Sequence, residues 1–104
     1  MIARRWTARA TIDGARAYVE FFREVLAPAL AHIDGHAGAL VLERAAGSGM
    51  EITVLTFWKS MDAVARFAGE NPERAVVEPE AQAVLQDFDS TVEHLVLKVD
   101  TRDG

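Results

Sequence analysis

The chain has 104 residues, of which 50% are hydrophobic and 26% charged, an ordinary composition for one soluble domain. Its net charge of −5 disfavours nucleic acid as a partner, because the phosphates would be repelled. The absence of cysteine excludes disulfides, thiolate nucleophiles and zinc-thiolate sites. No apolar run reaches the ~20 residues that cross a bilayer, and no signal-peptide segment follows the first residues. We therefore expect a single cytoplasmic domain covering residues 1–104, with no membrane partner.

The first predicted strand, Ile2–Thr11, carries a charged residue on its apolar side. Arg4 shares a face with Ile2 and Trp6, because side chains alternate along a strand. Two interpretations remain open. Arg4 either extends to solvent at the end of the sheet, with its stem packed on the Trp6 ring, or lines a pocket.

A long helix is predicted next, over Ala15–His32, from apolar residues spaced three or four apart. Asp13-Gly14 is interpreted as the turn that leads into it. Pro28 removes a backbone donor within the pattern, so we expect a kink or a break there. Gly35 is expected to be a left-handed residue that ends the helix.

The second and third strands, His36–Ala46 and Met50–Trp58, are separated by the short glycine-rich turn Gly47-Ser48-Gly49. This spacing predicts an antiparallel hairpin. The third strand is apolar on both of its faces, which indicates that both faces are covered.

A second helix is predicted from the Ser60 cap to about Gly69. Glu70–Glu73 is interpreted as a loop or a helix restart. Proline within Glu78-Pro79-Glu80 then predicts the first turn of a short helix carrying Ala81, Val84 and Leu85, and extending as far as Phe88 in one interpretation.

The last predicted strand is Thr91–Val99, followed by a frayed polar tail, Asp100–Gly104. The resulting βαββαβ order predicts an α+β, ferredoxin-like fold, in which helices cover one face of a four-stranded antiparallel sheet. Because the strands are apolar on both faces, the second face needs a cover. A second copy of the sheet is the simplest one, so we expect a homodimer through the open sheet face.

Several stretches resemble the antibiotic biosynthesis monooxygenase family. They are IARRWTA, IDGHAGALVLER, VLTFWKSMDAVARFAGENPERAVVEPEA and TVEHLVLKV, and they run from about Ile2 to about Val99. The resemblance points to an uncharacterised branch and implies a dimeric α+β barrel with one small-molecule cavity per subunit, between sheet and helices. Family members include cofactor-free oxygenases acting on anthrones or quinols, and haem-degrading enzymes.

The haem-degrading members carry an asparagine on the first strand, a tryptophan on the second helix and a histidine ligand shortly after it. This sequence has Phe67 on the helix, and no histidine between His36 and His94. We therefore set haem degradation aside and expect no cofactor.

His94 is the candidate catalytic residue, because it is the only histidine within a predicted central strand. A neutral imidazole on a buried face could act as a general base towards a phenol or an enol. The alternative is a structural histidine hydrogen-bonded to a neighbouring strand or a glutamate. His32 and His36 flank Gly35, where exposed residues are expected, and the three histidines lack the close spacing of a metal site.

The candidate substrate-binding residues are Arg4, Trp6, Trp58, Phe67 and Arg74. The two tryptophans would suit a flat aromatic ligand, although core or dimer-interface positions are the commoner role of such residues. Arg74 would hold an anion or an enolate, or else lie on a solvated loop. The acidic residues from Glu70 to Glu80 lack the regularity of a metal-binding loop and are interpreted as solvated surface.

These residues and the resemblance predict a cofactor-independent monooxygenase acting on a small aromatic, anthrone- or quinol-like substrate. Two alternatives remain open. One is a non-catalytic dimer that binds a small hydrophobic molecule, and the other is a cofactor-free isomerase or cyclase on the same barrel.

Overall fold

The computed structural model describes residues 1–102 and contains one antiparallel sheet with helices on one face. In chain order the elements are β1 (Ile2–Ala10), α1 (Ile12–Phe21), a π-helical turn (Phe22–Leu26), α2 (Ala27–Ala31), β2 (His36–Ala46), β3 (Gly49–Trp58), α3 (Met61–Ala68), α4 (Pro79–Gln82), β4 (Asp87–Phe88) and β5 (Glu93–Val96). The strand order is β2-β3-β1-β4, and β5 also pairs with β1. The α+β class and the ferredoxin-like arrangement predicted from the sequence are confirmed.

The predicted last strand is shorter than Thr91–Val99 and is preceded by an extra strand, so the sheet has five strands. β4 pairs with Ala8 and Arg9 of β1, whereas β5 pairs with the segment Ile2–Arg5. The extension of α4 to Phe88 is wrong, because Phe88 lies in β4. Residues 90–92, between β4 and β5, instead pair with the segment that follows α3: the Ala75 amide donates to the Ser90 carbonyl and the Val92 amide to the Glu73 carbonyl.

The first helix begins earlier than predicted, because Thr11 caps it. The Thr11 hydroxyl accepts a hydrogen bond from the Gly14 amide at 2.9 Å, so Asp13-Gly14 forms the first helical turn rather than a turn before it. The irregularity expected at Pro28 is a π-helical turn just before it, in which the Ala27 amide donates to the Phe22 carbonyl. This wider turn precedes a residue that has no amide hydrogen to donate.

The hairpin and the second helix follow the prediction. β2 and β3 pair as far as Ala46 and Gly49 at the turn, and the Ser60 hydroxyl caps α3 by accepting from the Ala63 amide at 3.2 Å. Gly35 has a φ of 91°, as expected of a left-handed helix end. The segment Glu70–Glu73 is a loop and not a helix restart.

The core lies between the sheet and the helices. Ile52 and Trp58 of β3 and Val64 of α3 are its largest fully buried side chains. Within residues 1–102, no helix is long and apolar enough to cross a membrane.

The opposite face of the sheet is apolar and only partly covered by this chain. Leu40, Leu55 and Phe57 line a shallow groove there together with the carboxy-terminal segment 97–102. Arg102 lies over the Phe57 ring, with its guanidinium carbon 5.2 Å from the ring centroid, and also bonds to Asp100. The predicted frayed tail is therefore packed on the sheet up to Arg102. The remainder of the predicted tail, residues 103–104, lies outside the described residues.

Candidate functional site

A cavity of about 130 Å³ lies between the helix-facing side of the sheet and the helices. Its floor comes from β1 and β3, where Trp6 pairs with Val54 and Arg4 pairs with Thr56. The first helical run and the segments after β3 supply the other walls, largely with aromatic and aliphatic side chains. Small-molecule sites have this character, an apolar enclosure with a few polar groups converging on it.

Arg4 is a buried cation that lines this cavity, with only 4% of its surface exposed. Its guanidinium donates to the backbone carbonyls of Pro72 and Arg74, the latter at 2.8 Å, and lies over the Phe67 ring at 5.6 Å. Burial lowers the pKa of Arg4 from its ordinary value, and the negative charge of Glu73 opposes that shift. The interpretation in which Arg4 extends to solvent is therefore wrong, because the 72–74 loop encloses its head group.

His94 lies beside Arg4 on the helix-facing side of β5, where the two residues pair across the strands. Its Nε2 is 3.0 Å from Nη1 of Arg4, which can only donate, so Nε2 accepts and the ring is neutral. Burial lowers the pKa of His94 and the charge of Arg4 lowers it further, although Glu73 opposes both. His94 is half-buried and is not part of the cavity wall. The structure thus places the proposed base behind Arg4.

Tyr18 and Glu78 contribute polar groups to the cavity that the sequence analysis did not single out. Tyr18 is 2% exposed, and its hydroxyl forms no hydrogen bond with any residue between 1 and 102. Burial raises the pKa of Tyr18 above its ordinary value, and the charge of Glu78 raises it further. Burial also raises the pKa of the Glu78 carboxyl. A hydrogen bond from the backbone amide of Glu78 lowers this pKa, and the charge of Glu80 raises it.

The interpretation of Glu78 as solvated surface is accordingly wrong in part, because Glu78, which directly precedes α4, is half-buried and lines the cavity. A pattern that would have identified Glu78 is its position directly before Pro79, since a residue before a helix-starting proline is held extended. Tyr18 had a weaker signal, a single phenol on an otherwise apolar helical stripe. Nothing in the sequence indicates that these two residues meet.

Trp6 and Phe67 form aromatic walls of the cavity, and both were candidate binding residues in the sequence. The Trp6 ring packs against Tyr18, with centroids 6.0 Å apart, and its indole nitrogen donates to the Asp89 carbonyl at 2.8 Å. Thr56 lies beside them on β3, where its hydroxyl oxygen accepts from the indole of Trp58 at 2.9 Å.

Trp58 and Arg74, the other two candidate binding residues, are not part of the cavity wall. Trp58 is completely buried and stacks on Phe67, with centroids 5.5 Å apart, so it supports the wall from behind. Arg74 is exposed, and its contribution near the site is the carbonyl that accepts from Arg4. The structure therefore agrees with the alternative interpretation of each residue: Trp58 is a core residue, and Arg74 lies on a solvated loop.

The fold and the site together define a class: a ferredoxin-like α+β domain with a small, largely apolar cavity that is lined by one buried cation and one half-buried carboxyl. Solved structures share this fold over almost the whole chain. One is a "putative antibiotic biosynthesis monooxygenase" from Deinococcus radiodurans, at 14% identity over 98% of this chain and 97% of that one, with a TM-score of 0.63. A protein from Bacillus cereus described in the same words has 19% identity over 96% and 93% of the two chains and a TM-score of 0.56.

A third neighbour is the haem degrader MhuD from Mycobacterium tuberculosis, solved with two haems in its active site. It has 20% identity over 96% of this chain and 100% of that one, with a TM-score of 0.57. No protein-family model and no curated protein matches the chain. The resemblance noted in the sequence is therefore confirmed at the level of the fold, which is the fold of structures named for antibiotic biosynthesis monooxygenases.

The cavity wall does not fit a haem. Iron in haem proteins is held by His, Cys, Met or Tyr, and among these types the described wall contains only Tyr18. A volume of about 130 Å³ is also far below that of a porphyrin.

Proposed function

We propose that the protein is a cofactor-independent monooxygenase acting on a small phenolic or quinol-like substrate in the cavity beside Arg4. The observation that carries this proposal is the convergence of a buried cation and a half-buried carboxyl on one apolar cavity. A carboxyl with a raised pKa is a stronger base than an exposed one once ionised, and the positive field of a buried cation in the same apolar cavity stabilises the anion that proton removal creates. The shared fold is consistent with this chemistry.

The size of the cavity favours a single aromatic ring. A dry cavity of roughly 150 Å³ in a protein core accepts benzene, and the cavity here is about 130 Å³. A tricyclic anthrone would require the walls to move apart. Within the substrate class predicted from the sequence, the quinol-like members therefore fit better than the anthrone-like ones.

The proposed reaction begins when a base in the site takes the proton of a phenolic hydroxyl. The electron-rich anion passes one electron to dioxygen, and the resulting substrate radical and superoxide combine to form a carbon–oxygen bond. The peroxide formed takes up a proton and loses water. One oxygen atom then remains on the ring as a carbonyl or hydroxyl and the other leaves in water, so a hydroquinone becomes a hydroxylated quinone without any external reductant.

Two groups are candidates for the base. Glu78 lies in the cavity wall and has a carboxyl that is protonated more readily than an ordinary one. His94, the candidate from the sequence, has its Nε2 lone pair occupied by Arg4. We propose Glu78 as the group that takes the proton and His94 as the positioning residue that orients Arg4, and the direct role of His94 is the alternative.

Oxygen uptake by the purified protein tests the reaction. We expect a panel of single-ring hydroquinones to give uptake that is proportional to protein concentration, with anthrones reacting more slowly because they exceed the cavity. The control is the spontaneous oxidation of each compound in protein-free buffer at the same pH. The absence of uptake above this background would overturn the monooxygenase proposal, and conversion of a substrate under strict anaerobiosis would favour an isomerase or cyclase instead.

A non-catalytic binding protein is the second candidate function. The contact between His94 and Arg4 favours it, because this contact occupies the one histidine near the site and leaves an enclosed cavity suited to retention of a ligand. Tight binding of a single-ring compound without oxygen consumption would support this function.

We also propose that the protein forms a homodimer through the open face of the sheet. Leu95 lines the groove on this face together with Leu40 and Leu55 and is 42% exposed, and Leu42 on the same face is 48% exposed. Burial of such a surface against a second copy would remove apolar area from water. Sedimentation velocity at micromolar concentration should give the mass of a dimer.

The variant Leu42→Glu should dissociate this dimer, because a carboxylate buried between two sheets would lack a partner. Val25→Glu is the matched control, since Val25 has nearly the same exposure as Leu42, 49%, but lies in the helical run on the other side of the sheet. A monomeric wild-type protein, or an equal effect of the two substitutions, would contradict the proposed interface.

A further inference from the structure

Arg4 is a buried cation with no carboxylate bonded to it. It forms no ion pair with any described residue, and the nearest acidic influence on it comes from the exposed Glu73. Burying a charge without a counter-charge is costly, so such a group usually has an anionic partner. Its partners within residues 1–102 are two backbone carbonyls and the neutral ring of His94.

The hydrogen bonds of Arg4 leave one part of its guanidinium free. A guanidinium has five N–H groups. Both hydrogens of Nη1 are accounted for by the Pro72 carbonyl and Nε2 of His94, and one hydrogen of Nη2 by the Arg74 carbonyl. The remaining donors are the N–H of Nε and the second N–H of Nη2. Because the Pro72 and Arg74 carbonyls belong to one short loop, we take them to bind the edge shared by Nη1 and Nη2, which leaves the edge shared by Nε and Nη2 to bind both oxygens of a carboxylate in a fork.

Other features of the cavity indicate what else the ligand carries. Trp6 and Phe67 provide aromatic walls, and the unpartnered hydroxyl of the buried Tyr18 opens onto the same space. Arg4 lies over the Phe67 ring, whereas the Tyr18 ring packs against Trp6, so these two polar residues lie against different aromatic walls of the cavity, and Glu78 lines the same cavity. The cavity therefore has a cationic site at Arg4 and a separate hydroxyl and carboxyl site at Tyr18 and Glu78.

We infer that the ligand of this cavity is an aromatic carboxylate, a hydroxybenzoate-like molecule whose carboxylate binds the free Nε–Nη2 edge of Arg4 and whose phenolic hydroxyl bonds to Tyr18 and Glu78. The ring fits the single-ring size of the cavity and lies against Trp6 and Phe67. The inference rests on the proposed function only in taking this cavity as the ligand site. It does not depend on any reaction with oxygen.

Binding measured in the absence of oxygen tests the inference apart from the proposed reaction. Trp6 in the wall provides an intrinsic fluorescence signal, and calorimetry provides an independent one. The probes are 4-hydroxybenzoate, its neutral amide 4-hydroxybenzamide, and benzoate. We expect the amide to bind on the order of tenfold to a hundredfold more weakly than the acid, because it loses charge-assisted hydrogen bonds. We expect benzoate, which lacks the hydroxyl, to bind between the two.

The matched variants are Arg4→Lys and Arg5→Lys. Lysine at position 4 keeps a charge but loses the two-donor edge, and should reduce the preference for the acid over the amide to less than about threefold. Arg5 is on the exposed face of the same strand, where it pairs with Glu93, so its replacement should leave the preference unchanged. Circular dichroism establishes whether each variant is folded.

If Arg4→Lys does not fold, the inference is tested by the wild-type protein alone, through its relative affinity for 4-hydroxybenzoate and 4-hydroxybenzamide. Equal affinity for the two compounds, or no binding of either, would overturn the inference. Binding of the acid without oxygen uptake on any hydroxylated analogue would uphold the inference while the proposed monooxygenase function failed.

Discussion

Replacement of Trp58 by alanine is expected to lower the free energy of unfolding by about 3–5 kcal/mol, the usual cost of deleting a buried aromatic side chain. Trp58 is completely buried, stacks on Phe67 and donates to the hydroxyl of Thr56. Its removal would leave a void behind the cavity wall and a threonine without its partner. Because a domain of this size is stable by only about 5–15 kcal/mol, this loss would be a large part of the total.

Urea denaturation, followed by circular dichroism, measures this loss. Trp58→Phe is the control that separates packing from hydrogen bonding, because it keeps a ring against Phe67 and removes only the indole N–H and part of the volume. We expect it to cost less than half as much as the alanine variant, and to bind 4-hydroxybenzoate as the wild-type protein does. A loss below about 1 kcal/mol in Trp58→Ala would contradict the assignment of Trp58 to the core.

Replacement of Glu78 by glutamine is expected to lower kcat for hydroquinone oxidation by about a hundredfold to ten-thousandfold, the range typical of a lost general base. Glutamine is close in size and keeps a hydrogen-bonding group in the wall, but it cannot take a proton. Glu80→Gln is the matched control, because Glu80 is the exposed acid two residues further along the same helical turn. We expect it to change kcat by less than about threefold.

The variant His94→Gln distinguishes the two candidate bases. A glutamine oxygen can accept from Arg4 as Nε2 of His94 does, so the orientation of Arg4 would be retained while the imidazole is removed. With Glu78 as the base, this variant keeps most of the turnover. A large loss in His94→Gln together with an active Glu78→Gln would reverse the roles and restore the histidine predicted from the sequence.

Regular elements of the fold were predicted well where local patterns determine them. The bounds of β2 and the cap of α3 at Ser60 agree with the structure, because alternation and capping depend on residues close in sequence. The extra strand β4, which precedes the last predicted strand, was not predicted. It depends on pairing with Ala8 and Arg9 of β1, about 80 residues away in the chain, and no local pattern encodes that pairing.

The site was predicted in part. Trp6 and Phe67 line the cavity, and Arg4 lines it in place of reaching solvent. Alternation along β1 put Arg4 and Trp6 on one face, but it did not specify how far the 72–74 loop would cover that face. For the same reason Glu78 was taken for a surface residue, since its burial depends on where the helix after the loop packs.

By itself, the sequence determined the order of the main strands and helices, the apolar character of both faces of the sheet, and the absence of any thiolate chemistry, since these follow from residue types and short-range spacing. The tertiary structure alone decided that Pro72 and Arg74 bring their carbonyls to Arg4, that His94 accepts from the same guanidinium, and that Tyr18 and Glu78 share one cavity. The physical reason is that these groups are up to 90 residues apart in the chain. Their contacts exist only once the sheet and the loop have packed, and the charge and hydrogen-bonding state of each group is set by that burial.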